Sequence, residues 1–147
     1  MKAFLTRGGE PVEFLVVRHS YGRSRRFWGL PGGGYKPARE TPEEAVSREV
    51  REELGLGVAP ETFTLLGQEE NTTVEGKRDQ VTTLMASVVD GSVRRSPEIA
   101  EALWVADLRD LEGAPVSRWL EQALTESGHR SYRPGSSLTI ANRNVLD

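Results

Sequence analysis

The chain has 147 residues, 37% apolar and 28% charged, with a formal net charge of −3, which fits one globular domain of ordinary size. A net-negative chain is not built to form a stable complex with nucleic acid, where affinity comes mostly from neutralising phosphates with Lys and Arg; a local Arg cluster can still hold a small nucleotide. The absence of cysteine excludes disulfides, thiolate metal sites and a cysteine nucleophile.

Met1 to Arg7 turns polar too early for the apolar region of a signal peptide. No run approaches the roughly eighteen apolar residues of a membrane span, so a cytoplasmic protein with no membrane partner is expected. Lys2 to Thr6 is a short strand candidate, followed by a turn at Gly8-Gly9-Glu10-Pro11. Val12 to Val17 is rich in branched and aromatic residues and predicts a buried strand. A basic stretch, Arg18 to Arg26, then leads through Phe27-Trp28-Gly29-Leu30-Pro31 into Gly32-Gly33-Gly34. Thr41 to Gly55 is the clearest helix: Thr41 and Glu44 form a capping-box pattern, Pro42 suits the first turn, and Gly55 suits the left-handed stop. Phe63 to Val74 and Gln80 to Val89 predict two strands joined across Glu75 to Asp79. Glu98 to Trp104 is a short helical or extended piece, and Val116 to Glu126 has the apolar spacing of an amphipathic helix. Trp104 and Trp119 are expected in the core, whereas the tail from Ser127 shows no periodicity. This succession of strands and helices predicts a mixed α/β or α+β layered domain.

Chemistry enters on the helix. At about 100° per residue, Val46, Val50 and Leu54 form a core stripe, and Glu49, Glu52 and Glu53 form a second stripe beside it. All three carboxylates can approach one point. Like charges at this spacing oppose helix formation, whereas a hard divalent cation taking oxygen ligands reverses the sign. For an arbitrary acidic helix the ordinary reading is a solvated face, neutralised here by Arg48 and Arg51.

The wider spacing argues otherwise. Gly34, Glu40, Arg48-Glu49-Val50, Glu52-Glu53 and Gly55-Leu56 match every fixed position of Gly-x5-Glu-x7-Arg-Glu-U-x-Glu-Glu-x-Gly-U, where U is aliphatic. Chance would produce such a match on the order of once in ten million sequences of this length. The stretch resembles the Nudix box, and Trp28 to Gly34 resembles the approach to it.

The resemblance implies a Nudix-type mixed β-sheet sandwiched between helices, as a single domain over residues 1–147 with a C-terminal tail, 127–147, of unassigned role. It implies an Mg²⁺-dependent hydrolase, with Mn²⁺ an alternative ion, that cleaves a pyrophosphate bond in a nucleoside-diphosphate compound. Glu49, Glu52 and Glu53 are the implied metal ligands. Glu98 is a further candidate ligand or base, and Glu101 competes with it. Glu53 is the first choice for the group accepting the water's proton and Glu52 the second. Arg48 would hold the carboxylates in place, with Glu40 in a supporting role. Gly33 and Gly34 would let the backbone approach a phosphate.

Among the remaining residues, Arg18 and Arg25 are candidate phosphate clamps, since the guanidinium fork suits phosphate oxygens. Tyr21 is a candidate for stacking on a base. Phe27 and Trp28 are assigned to core packing, and His19 to a structural or exposed position, because the glutamates already supply a base. ADP-ribose hydrolases of this pattern carry a Pro beyond the box, and dinucleoside polyphosphate hydrolases a Tyr. Asn71, Thr72 and Thr73 occupy that region here, leaving nucleoside triphosphates or nucleotide sugars as expected substrates. The alternative is a catalytically silent Nudix-fold module that senses a nucleotide, which loss of a box carboxylate would favour; none is lost. A homodimer is compatible with the fold.

Overall fold

The two central strands decide how the layers stack. β1 (Lys2–Arg7) turns Ala3 and Leu5 to one face and Phe4 to the other, and β2 (Glu13–His19) turns Leu15 and Val17 one way and Phe14 and Val16 the other. All seven side chains are fully buried. Strands buried on both faces need cover on both faces. In the computed structural model, which describes residues 1–72 and 75–129, a helix supplies each cover.

β1 and β2 sit inside a five-stranded sheet with β3 (Thr64–Thr72), β4 (Arg78–Val88) and β5 (Ile99–Val105), in the order β3-β4-β1-β2-β5. The β1–β4 pair is parallel and the other pairs are antiparallel. α1 (Pro42–Leu54) covers the first face with Val46, Val50 and Leu54. α2 (Arg118–Ser127) covers the second with Leu120, Ala123 and Leu124. The fold is therefore the mixed sheet between helices that the sequence implies.

Both ends of α1 follow from local chemistry. Thr41 Oγ1 accepts the Glu44 amide at 3.1 Å, and a Glu44 carboxylate oxygen accepts the Thr41 amide at 2.8 Å. Gly55 closes the helix at φ 68°, a conformation that β-carbon contacts disfavour in other residues.

Some expectations shift. The segment Glu98 to Trp104 is neither helical nor wholly extended: Glu98 lies in the preceding loop, and the strand runs from Ile99 to Val105 because it finds a partner in β2. Trp119 is in the core at 3% exposure, but Trp104 is only half-buried. Its indole N–H needs a partner and donates to the Gly91 carbonyl at 2.8 Å, while the Arg7 guanidinium lies 4.6 Å from its ring centroid. The basic stretch contains a short 3-10 turn, Arg23–Arg26. The predicted end of the strand Phe63 to Val74, and most of the tail, fall on residues 73–74 and 130–147, outside the described residues. No helix among the described residues is long and apolar enough to cross a membrane.

One end of this scaffold is tightly stitched. The Ser96 amide donates to the Glu53 carbonyl at 2.9 Å and the Arg94 amide to the Leu54 carbonyl at 2.8 Å, which fastens the loop before β5 to the last turn of α1. The Ser20 amide donates to the Glu98 carbonyl at 2.8 Å, fastening the same loop to the end of β2. Gly29 and Val17 exchange two backbone hydrogen bonds, and Ala3 donates to the Pro31 carbonyl, so the approach to the glycine loop lies along the sheet.

Thr41→Ala removes one half of the α1 cap and is expected to cost about 1 kcal/mol. The readout is a lower urea midpoint at unchanged slope; an unchanged midpoint would show that the cap contributes nothing.

Candidate active site

The glycine loop and the acidic flank of α1 meet in one place. Gly32 adopts φ 154°, and a β-carbon there would stand 1.9 Å from the Met1 carbonyl oxygen, so no other residue fits without moving backbone. A β-carbon on Gly33 would lie 2.5 Å from the Glu49 carboxylate. The missing side chain of Gly33 is thus the room in which that carboxylate sits.

Arg48 holds most of the acidic groups. Its guanidinium donates to Glu40 at 2.9 and 3.1 Å, to Glu49 at 3.0 Å, to Glu52 at 2.9 Å and to the Gly34 carbonyl at 3.3 Å. The Arg48 hydrogen bonds hold the Glu40 carboxyl below its ordinary value. The bonds to Glu40 and then Glu52 push Arg48 itself further up. Glu49 goes the other way: burial pushes its carboxyl up, the charges of Glu53 and Glu52 add to the rise, and Arg48 only partly opposes it.

Glu53 belongs to a different set of partners. It is 2% exposed although charged. One carboxylate oxygen accepts the Gly32 amide at 3.0 Å, and the other stands 3.5 Å from His19 Nε2. Glu52, in contrast, has a side chain 55% exposed.

In this structure Glu49, Glu52 and Glu53 share one flank of α1 but take separate partners. Glu49 and Glu52 turn toward Arg48, Glu53 turns toward Gly32 and His19, and no three acidic or histidine side chains among the described residues form a ready metal cluster. The reason is electrostatic. Like charges on one flank repel, and each takes the nearest available donor. The residues nevertheless fit a hard divalent cation: three carboxylates lie on adjacent turns, two are largely withdrawn from water, and Glu49 is in an environment that disfavours its charge without more positive charge nearby.

The other candidates fall on either side of β2. The Arg18 guanidinium donates to Glu101 at 2.6 Å and to the Arg25 carbonyl at 2.9 Å, and lies 5.9 Å from the Trp28 ring centroid. It is engaged in holding the basic turn, which presents the exposed side chain of Arg25. Glu101 faces Arg18 across the β2–β5 ladder. Glu98 is exposed in the loop fastened to the ends of β2 and α1. Tyr21 is 62% exposed on the loop after β2, whereas Phe27 and Trp28 are buried. The sequence reading missed His19 as a neighbour of Glu53. The one available signal was its place at the polar end of a buried strand.

Comparison with known proteins adds a family. The NUDIX domain model matches residues 2–121. The chain is 44% identical over 61 residues to the human 8-oxo-dGDP phosphatase NUDT18, a match covering 42% of this chain and only 18% of the human protein. Among solved structures, the NUDIX domain of Shewanella oneidensis NrtR, crystallised with ADP ribose, superposes with a TM-score of 0.71 at 19% identity, covering 88% of this chain and 84% of that one. The MutT NUDIX hydrolase of Burkholderia pseudomallei gives a TM-score of 0.67 at 25% identity, covering 85% and 96%.

Glu49 binds its proton more tightly in the folded protein than in the unfolded one. Its charge therefore lowers stability as pH rises from the ordinary carboxylate value through its raised one. Glu49→Gln in chelator-treated buffer at pH 7 is expected to melt at or above the wild-type temperature. A clear drop in the melting temperature would show that the Arg48 contact outweighs burial.

Proposed function

The chain belongs to the Nudix family, and from that premise we propose that it hydrolyses a pyrophosphate bond in a nucleoside-diphosphate compound with the help of a divalent cation, Mg²⁺ or Mn²⁺. The observation that carries this reading is the Glu49 carboxylate seated in the space over Gly33, where the glycine loop and the acidic flank of α1 come together.

Glu49, Glu52 and Glu53 would hold the ion, with Glu98 as a further ligand from the loop before β5. A divalent cation in such a site supplies positive charge that offsets the repulsion between a diphosphate and an incoming hydroxide, and it acidifies water. The chain's own groups do the rest. Arg48 orients Glu49 and Glu52 through charge-assisted hydrogen bonds. Glu40 anchors Arg48 from the opposite side. The backbone of Gly33 and Gly34 lies along the diphosphate, and exposed Arg25 reaches for its distal oxygens. Arg18 serves by fixing the turn that carries Arg25. Tyr21 is placed to stack on the base. Glu53 accepts the water's proton, with the more exposed Glu52 as the alternative.

For substrate, the NUDT18 match favours guanine nucleotides, oxidised ones included, as the first to test, ahead of nucleotide sugars. The silent nucleotide-sensing module has no support in the site, since every carboxylate of the box is present. A cytoplasmic setting is proposed with it.

A panel of nucleoside di- and triphosphates, nucleotide sugars, ADP-ribose and dinucleotides, assayed with Mg²⁺ for phosphate or monophosphate release, tests the reading. Wild type is expected to turn over at least one class, and Glu53→Gln to lose about 100-fold or more in kcat, as removal of a positioned acid–base group does. Full turnover by both Glu52→Gln and Glu53→Gln would remove the mechanism, and silence of the wild type on every compound would favour the sensor.

A further inference from the structure

We propose that His19 is a positioning residue for Glu53, holding one carboxylate oxygen so that the other oxygen stays on the Gly32 amide and the group keeps one orientation for the ion. The inference rests on the reading of Glu53 as a metal-site glutamate.

Glu53 is unusually placed for a charged side chain. It is 2% exposed, and it occupies the last turn of α1, where the helix carbonyls present negative partial charge. A buried carboxylate left unpaired costs heavily. The Gly32 amide serves one oxygen at 3.0 Å. His19 Nε2, 3.5 Å from the other, is the group available to the second. That separation is longer than a good hydrogen bond, and the role requires it to shorten when the carboxylate takes an ion.

The backbone is built to bring His19 there. β2 pairs with β5 in regular antiparallel register from Phe14 to Arg18, with Arg18 opposite Glu101, and the register then shifts between Arg18 and His19, so that His19 stands opposite Ile99. The extra residue, Ala100, lies on β5, so β2 keeps its alternation and His19 follows Leu15 and Val17 onto one face. Arg18 goes to the Trp28 face and His19 to the α1 face. The next residue fixes the outcome: the Ser20 amide donates to the Glu98 carbonyl at 2.8 Å, and its hydroxyl to the Pro97 carbonyl at 2.7 Å. Strand alternation therefore turns His19 toward Glu53, and the Ser20 bonds fasten the Glu98 loop beside it. A neutral imidazole carrying its proton on Nε2 suffices for the role.

The decisive pair is His19→Gln, which keeps an N–H donor at similar reach, and His19→Met, which matches the length and has no donor. Both are measured for Mn²⁺ affinity by electron paramagnetic resonance without nucleotide, for kcat and KM on the best substrate of the wild type, and for melting temperature. His19→Met is expected to lose about 10- to 100-fold in Mn²⁺ affinity or kcat, the usual effect of removing a group that orients a metal ligand. KM should stay within about threefold, since substrate contacts are untouched. His19→Gln is expected to recover most of the loss. A His19→Met protein equal to wild type, or a His19→Gln protein as impaired as His19→Met, overturns the proposal. If wild type binds Mn²⁺ but hydrolyses nothing, the hydrolase reading fails while the difference in Mn²⁺ affinity still decides the role of His19; if it binds no Mn²⁺, both fall.

Discussion

The Arg48 guanidinium, shared among Glu40, Glu49 and Glu52, is the interaction on which the rest of the site depends. A single planar fork ties the loop after the glycines to two successive turns of α1, so the loop cannot move without moving the acids. Five N–H donors in fixed geometry make five bonds here, where a lysine would offer three from a single nitrogen. The same bonds leave α1 with a flank that is electrostatically unfinished. Arg48 satisfies Glu40 fully, Glu49 only in part, and Glu53 not at all.

That imbalance follows from where the helix sits. The apolar stripe of Val46, Val50 and Leu54 is completely buried against the sheet, and the acidic stripe adjoins it. Packing the first stripe drags part of the second out of water. Glu53, nearest the core, is withdrawn entirely, Glu49 is partly covered, and Glu52 remains in solvent. At Glu49 burial and the neighbouring carboxylates both oppose charge. Hydrophobic packing thereby withdraws from water part of the flank proposed to hold the ion.

Much of this was legible in the sequence because it is local. The capping box, the glycine stop and the two stripes of α1 depend on residues within a few positions of one another, and the structure reproduces them. The box spacing likewise carried the family, and the branched and aromatic run from Val12 to Val17 carried a buried strand. What the sequence withheld depends on pairing between distant segments. Arg18 looked free to clamp a phosphate, but its place opposite Glu101 is a matter of β2–β5 register. His19 looked incidental because its neighbour Glu53 belongs to a helix distant in sequence. Convergence of three glutamates was deduced from a helical wheel, which gives the direction of each Cβ and says nothing of the donors each carboxylate finds. Trp104 was assigned to the core on hydrophobicity, whereas its indole N–H draws it to a carbonyl at the edge.

The central claim is that the acidic flank of α1 is drawn together by a divalent cation over the glycine loop. A crystal structure with abundant Mg²⁺ and a non-hydrolysable nucleotide analogue tests it most directly. The account predicts Mg²⁺ ligated by Glu49, Glu53 and Glu52, with Glu52 released from Arg48 and the diphosphate lying along Gly33 and Gly34. Carboxylates still held by Arg48, Gly32 and His19, with the analogue bound elsewhere and no ion among them, would contradict it.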